Sequence, residues 1–396
     1  MLTTAPTTSL HLLTLLLKCA DHISAGNLTS AGDLLPEIFE LSSPFGSPAD
    51  RVAAFFAHSL HSYLLLHFLS PPPQPVKMLT LSSQLRSFHS ALQSYNSLTP
   101  FVKFSHFTAN QAIFEALEGH DGVHVIDLDI MQGLQWPGLF HILASRPRKV
   151  NSVRVTGFGP SSDLLSQTGA RLAEFAASLG LPFRFTPIEG KIGNLSESQL
   201  SQLAAVANEV TVVHCMHHNL YDISGSHVGT LRVLNAVRPR LVTMVEQDID
   251  VSQTTSFMER FVEALHYYSA LFDALGEGLG KDSVQRHVVE QQLFGSEIRN
   301  ILAVGHGRKR INGDDGIITR WGDELIRVGF EPFSLSGSPA AQASLLLEMF
   351  PWKGYTMMEE NGCLRLGWKD LPLLTASAWQ PCDYSCVTSN GNILRN

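Results

Sequence analysis

The segment Val123-His124-Val125-Ile126-Asp127-Leu128-Asp129-Ile130-Met131-Gln132-Gly133 decides the fold class of this chain. Residues 123–128 are short, mostly apolar and rich in β-branched side chains, and a turn ending in Gly133 follows, so they read as a buried strand. Outward from it, residues 153–156, 183–186, 210–214 and 241–246 have the same character and are separated by stretches with helical spacing. Strands alternating with helices predict βαβ units, hence an α/β fold with a Rossmann-type parallel sheet covered by helices on both faces. Nearer the C-terminus, Asn361-Gly362 suits the two positive φ angles of a type I′ turn. It predicts an antiparallel hairpin between Tyr355–Glu360 and Cys363–Trp368 that finishes the sheet.

The first hundred residues carry no strand signal. Ser9 reads as an N-cap, Leu13, Leu16, Leu17 and Ala20 recur at helical spacing, and Gly26 suits the left-handed residue that ends a helix. A second helix start stands at Ser47-Pro48, followed by Val52, Phe55, Phe56, Leu60 and Tyr63 and ended by Pro71, Pro72 and Pro73. Leu81, Leu85, Phe88, Leu92 and Tyr95 continue the pattern to Pro100. We expect residues 1–100 to form a leucine-rich N-terminal helical cap and residues 101–396 a Rossmann-like core. A helical pair at 257–275 and 284–302, within an insertion at about residues 254–305, is expected to pack with the cap into one domain.

Of 396 residues, 44% are hydrophobic and 16% charged, enough for a large core and unlike a disordered chain. The 28 Lys+Arg against 36 Asp+Glu leave a net charge of -8, which weighs against a surface built to neutralise nucleic-acid phosphates. Arg146-Pro147-Arg148-Lys149 and Arg308-Lys309-Arg310 read first as solvated loops, with nuclear import or a phosphate contact as alternatives. Five scattered cysteines without a CxxC pair suggest a reducing compartment, cytosol or nucleus. The apolar run at 10–17 is too short for a membrane span and lacks the flanks of a signal peptide.

A parallel Rossmann-type sheet that closes in antiparallel strands is the layout of S-adenosylmethionine-dependent methyltransferases. Such an enzyme needs a glycine-rich turn after its first strand, where the backbone approaches the cofactor, and an acidic residue closing the second strand to hold the ribose. Here the turn keeps only Gly133, while Ile130 and Met131 put bulk into the ligand's space. The second strand runs into Val155-Thr156-Gly157-Phe158-Gly159, with no acid. No bound cofactor and no catalysis are therefore expected. His214-Cys215-Met216-His217-His218, with Asp222 nearby, has no metal-ligand spacing, since neighbours on an extended chain point to opposite faces. No P-loop or nucleophile elbow occurs.

Val123-His124-Val125-Ile126-Asp127, followed by Gln132-Gly133-Leu134-Gln135-Trp136-Pro137, resembles the VHIID signature of the plant GRAS family. Residues 12–69 and 169–203 are similar to its two leucine-rich regions, and 261–275 with 286–301 occupy the place of its PFYRE region. Trp321, Trp368, Ser377, Ala378 and Trp379 are similar to its closing SAW region, although Trp379-Gln380-Pro381 stands where close relatives carry Trp-Arg-Pro. Within the family, residues 12–17, 138–146 and 261–269 look like the Scarecrow-like subgroup. The resemblance implies a nuclear transcriptional regulator of plant development with a methyltransferase-like core. It further implies binding to Short-Root-like and other GRAS proteins and to zinc-finger transcription factors, as a homodimer or heterodimer, with DNA contacted through the partners. A direct DNA-binding factor, and after it a methyltransferase, are the competing interpretations. Because the homologous region begins almost at Met1, the variable N-terminal segment of larger members is expected to be missing, leaving the folded domain to carry any interaction surface.

Asp127 is expected to order the turn behind its strand and His124 to be a buried, hydrogen-bonded side chain, with an interface role for both as the alternative. The three tryptophans are expected in the core. Leu12, Leu13, Leu15, Leu16 and Leu17 wrap more than one helix face, so they are candidates for partner binding as well as cap packing. The expected division puts Leu13, Leu16, Leu17 and Ala20 toward the cap and Leu12 and Leu15 outward.

Overall fold

The computed structural model describes residues 5–68, 82–203, 208–220, 225–249, 256–280, 282–304, 321–350 and 353–382. Asp222, Leu81, Pro71–Pro73 and the Arg308–Arg310 run, all named from the sequence, lie outside these residues, as does Cys386, one of the five cysteines. The chain opens with five helices: α1 (Ala5–Ser24), α2 (Leu28–Leu41), α3 (Pro48–Phe68), α4 (Ser82–Leu98) and α5 (Phe101–Ala116). Then strands and helices alternate: β1 (Gly122–Asp127), α6 (Trp136–Ala144), β2 (Ser152–Gly159), α7 (Ser162–Ser178), β3 (Phe183–Glu189), α8 (Glu197–Gln202), β4 (Glu209–Met216), α9 (His227–Val237) and β5 (Leu241–Gln247). The insertion carries α10 (Phe257–Gly276), α11 (Val284–Val289) and α12 (Gly295–Arg299). After it come α13 (Trp321–Arg327), β6 (Phe330–Phe333), α14 (Ser338–Glu348), β7 (Tyr355–Glu360), β8 (Cys363–Trp368) and β9 (Leu371–Pro381).

The nine described strands form one sheet in the order β3-β2-β1-β4-β5-β9-β8-β7, with β6 pairing β9. The first five are parallel and run 3-2-1-4-5, the doubly wound arrangement. Side-chain alternation divides the core between the two faces. Val123, Val125, Val153 and Val212 face a large cluster with α1, α3, α5, α6 and α10, whereas Ile126, Val213 and Met244 face a second cluster with α9 and α13. The predicted hairpin is present with its register, and Asn361 (φ 52°) and Gly362 (φ 77°) make the turn.

That hairpin forms the outer edge of the sheet, as expected, but it does not pair with the parallel strands directly. β9, the SAW segment, lies between β5 and β8, antiparallel to both, so the hairpin hangs outside it. Two other features depart from the sequence reading. Ser9 lies inside α1, which already begins at Ala5. The whole of α2 escaped notice because Pro36 interrupts its pattern, although Ala31, Leu35 and Ile38 form a buried stripe around it. Ser47 does cap α3: its Oγ accepts from the Asp50 amide at 3.3 Å while Asp50 Oδ2 accepts from the Ser47 amide at 2.8 Å.

The insertion packs against α1, α3 and α4. Phe56 meets Phe261 edge-on at 5.5 Å, Phe55 meets Phe272 at 5.4 Å, and Tyr95 meets Phe294 at 5.6 Å. Its second half is interrupted by two π-helical turns, Glu290–Phe294 and Asn300–Val304. The first projects the fully buried Glu290 onto Arg51 of α3 at 2.9 Å, with Arg286 at 3.5 Å. Removing either partner of such a pair is costly because the remaining charge is stranded away from water.

Candidate functional site

β1 ends in the middle of the sheet, between β2 and β4, at the place where a doubly wound fold binds its ligand. Its terminal residues are fully used by the protein itself. Asp127 Oδ2 accepts from Trp136 Nε1 at 2.8 Å and Oδ1 from the Asp129 amide at 3.2 Å, tying the turn to the start of α6. Burial, reinforced by Asp129 nearby, pushes the Asp127 carboxyl up to about 7 although both hydrogen bonds pull it down. His124 Nε2 meets Thr156 Oγ1 at 2.9 Å, and burial, with the Arg154 charge, lowers this imidazole to about 3.

Deeper in the same crevice, His218 Nδ1 accepts the Leu220 amide at 3.1 Å. That bond leaves Nε2 as the protonated nitrogen, which donates to Asp129 Oδ2 at 3.0 Å. His214 Nδ1 meets Thr243 Oγ1 at 2.9 Å beneath the edge of Trp136, and burial lowers it to about 3. Opposite them, Glu297 of α12 accepts from Tyr268 at 2.9 Å and from Gln247 at 3.1 Å, and burial raises its carboxyl. His214, His218, Asp129 and Glu297 thus converge from three elements. Among the described residues, no group of three or more His, Cys, Asp or Glu side chains is arranged to hold a metal ion.

A cofactor of the methyltransferase kind does not fit here. A Cβ on Gly157, at the close of β2, would lie 2.9 Å from Ile130, whose buried side chain packs onto that glycine where a nucleotide would need open backbone. The cavity left between the turn and the helices measures about 110 Å³. Pockets for drug-sized ligands run to roughly 300–1,000 Å³. Glu189, which ends β3 beside Gly159 of β2, is occupied by the Ser162 amide at 3.1 Å and the Ser162 hydroxyl at 2.5 Å.

The SAW residues are elsewhere. Ser377, Ala378 and Trp379 pair with Met244, Thr243 and Val242 of β5, two strands away from β1. Trp379 is buried against Gly322, with its indole nitrogen on Ser377 Oγ at 3.0 Å, and Trp321 belongs to the same cluster. His217 and His227 both lie against the Trp321 ring, at 5.2 and 5.4 Å. Trp368 instead donates to Asp273 of α10 at 2.8 Å, joining the outer hairpin to the insertion. Gln380, at the departure from Trp-Arg-Pro, donates to Glu331 at 2.8 Å, a carboxylate that an arginine there would pair with.

The leucine-rich face of α1 is rotated from the expected one. Leu12, Leu15, Leu16, Cys19 and Ile23 are buried against α2, α3 and α10, so Leu12 and Leu15 are core. Leu13, assigned to the cap, is 40% exposed, Leu10 is 65% exposed, and Leu17 is half-buried. Six leucines in eight positions hide the phase of the helix. His11 reveals it, because its imidazole pairs with Glu37 of α2 on the surface at 2.9 Å. Arg146, from the first basic run, caps the C-terminal end of α5 by donating to the carbonyls of Phe114 at 3.1 Å and Leu117 at 3.2 Å. Arg148 pairs with Asp121 at 2.5 Å. Of the crevice residues, Gln132 stands in the signature stretch, whereas Gln247 and Glu297 carry no local signal that two distant segments meet.

Over residues 12–380 the chain matches the GRAS domain family. It is 58% identical over 379 residues to Scarecrow-like protein 23 of Arabidopsis thaliana, covering 95% of this chain and 91% of that protein. Protein SCARECROW of Arabidopsis thaliana is 52% identical over 373 residues, covering 94% of this chain but 56% of its own length. The chain therefore spans little more than half of that protein. Among solved structures, SCL7 of Oryza sativa superposes with a TM-score of 0.73 at 29% identity, over 93% of this chain and 99% of that one. With one family match running from the first leucine-rich helix to the SAW strand, the chain belongs to the GRAS domain family, in its SCARECROW-like branch.

Proposed function

We propose that this protein is a non-catalytic transcriptional regulator of plant development that works in the nucleus by binding other proteins. Its partners on this reading are Short-Root-like and other GRAS proteins, in homodimers or heterodimers, and zinc-finger transcription factors through which it reaches DNA. One observation carries the non-catalytic part: the turn after β1 is closed by its own side chains, with Asp127 hydrogen-bonded to Trp136 and Ile130 packed on Gly157. SCARECROW-like relatives, as regulators of plant development, support the rest. No helix among the described residues is long and apolar enough to cross a membrane, which fits a regulator that acts away from bilayers.

Calorimetric titration with S-adenosylmethionine should give no heat of binding, and a pull-down with a Short-Root-like protein should retain the chain. Micromolar cofactor binding would falsify the non-catalytic reading. A duplex affinity that falls steeply with salt in the absence of any partner would favour direct DNA binding instead.

A further inference from the structure

We propose that the cavity at the ends of β1, β4 and β5 is a binding site for a small, neutral ring compound carrying one hydrogen-bond donor. Three observations support it. The first is size: about 110 Å³ is open between the β1 turn and the helices α4, α5 and α10 with its neighbouring π turn. An apolar cavity of roughly 150 Å³ is known to stay dry and accept benzene, so the space suits a single ring.

The second is the wall. Leu92, Phe101, Leu271, Leu293 and Phe294 line it, along with the ring of Trp136. Polar groups that also line it, such as His214, His218, Gln247 and Glu297, are hydrogen-bonded to protein partners, so the wall offers water few of the two to four polar partners that it needs. Among the described residues no lysine or arginine lines the cavity, while the carboxyls of Asp127, Asp129 and Glu297 do. An anionic ligand would therefore find no compensating charge and would meet acidic neighbours.

The third is an unanswered acceptor. Gln132 is 7% exposed and lines the cavity, and its Oε1 has no hydrogen-bond partner. A buried acceptor left without a donor is costly, and a turn of the Gln132 side chain toward the cavity would let a ligand N–H or O–H remove that cost. The backbone around Gln132 is held independently: Arg171 donates to its carbonyl at 3.3 Å, and Thr168 donates to the Met131 carbonyl at 2.9 Å. The side chain thus pivots from a fixed turn. The site occupies the position of a cofactor crevice but is small and has no acid closing β2, so a ring without a charged tail is what fits.

Phenol, toluene and benzoate are suitable probes for the purified full chain, because they share a ring and differ in donor and charge. Phenol should bind saturably, toluene several-fold more weakly and benzoate not measurably. Replacing Gln132 by Leu should weaken phenol by about three- to tenfold, the worth of one hydrogen bond, and leave toluene unchanged or tighter. Leu92→Phe, which extends a ring into the space, should reduce both by more than tenfold while the melting temperature holds. Methyl NMR of the wild-type chain supplies a readout independent of any variant: phenol should shift the Leu271 and Leu293 methyls and leave Leu10 and Leu13 unmoved. The proposal is overturned if the folded wild type shows no saturable phenol binding, if benzoate binds as well as phenol, or if phenol affinity ignores Gln132→Leu. Methyl shifts confined to the surface leucines would overturn it as well.

Discussion

At the scale of single residues, the unusual chemistry of this chain lies in a carboxyl that keeps its proton. Asp127 in the native state holds its proton up to about 7, against 3.8 for an ordinary aspartate, because burial disfavours the charged form. Between those values the folded chain binds more protons than the unfolded one, so folding stability from this group is fully present below 3.8. It is lost as the pH rises through about 7. Glu290 and Glu297 are raised by burial as well and add to the same trend. Asp127→Asn should therefore narrow the gap between urea midpoints measured at pH 5 and pH 8, without abolishing it. An unchanged gap would mean that Asp127 is ionised in the folded chain and that Trp136 stabilises its charge.

At the scale of elements, α1 and β9 carry separate predictions. Leu12 and Leu15 are 1% and 5% exposed, so Glu at both positions should unfold the helical layer; truncating even one buried leucine costs about 2–5 kcal/mol. Glu at Leu10 and Leu13, which face outward, should leave the circular-dichroism melt intact. On the proposed function the same change weakens retention by a Short-Root-like protein by more than tenfold, about 1.4 kcal/mol. Full retention by that folded double variant would move the interface away from α1. On β9, Trp379→Ala should act through stability, at about 3–5 kcal/mol, since its indole is buried and packs on Gly322. A variant that melts like wild type yet loses its partner would make Trp379 a contact residue.

For the whole molecule, the question is whether the first hundred residues and the α/β core are separable. Phe55, Phe56 and Tyr63 of α3 interleave with Phe272, Phe261 and Phe257 of α10, and Arg51 neutralises Glu290 inside the same interface. A chain cut to residues 101–396 would expose those rings and take Arg51 away from Glu290. It should aggregate or elute as an expanded species on size exclusion and be digested rapidly by protease. A compact, protease-resistant 101–396 fragment would show that the α/β core folds without the N-terminal helices.

Periodicity was sufficient for what depends on neighbours in the chain. The inner parallel strands β1, β2, β4 and β5 are legible because buried strands are apolar on both faces, and the Asn361-Gly362 turn because its φ angles demand those residues. The expectation that the Asp127 carboxyl orders a turn came from the same local grammar, whereas the signature around it was legible only as a resemblance to a known family. Three things were decided only in the folded state. The phase of α1 depends on which of six leucines meets α3 and α10, a choice that a nearly uniform apolar run does not encode. The position of β9 between β5 and β8 is a long-range pairing, invisible to a pattern that reads each strand alone. The crevice is the clearest case: Gln132, Gln247 and Glu297 come from separate segments, and neither their burial nor the space between them exists until the insertion closes over the strand ends.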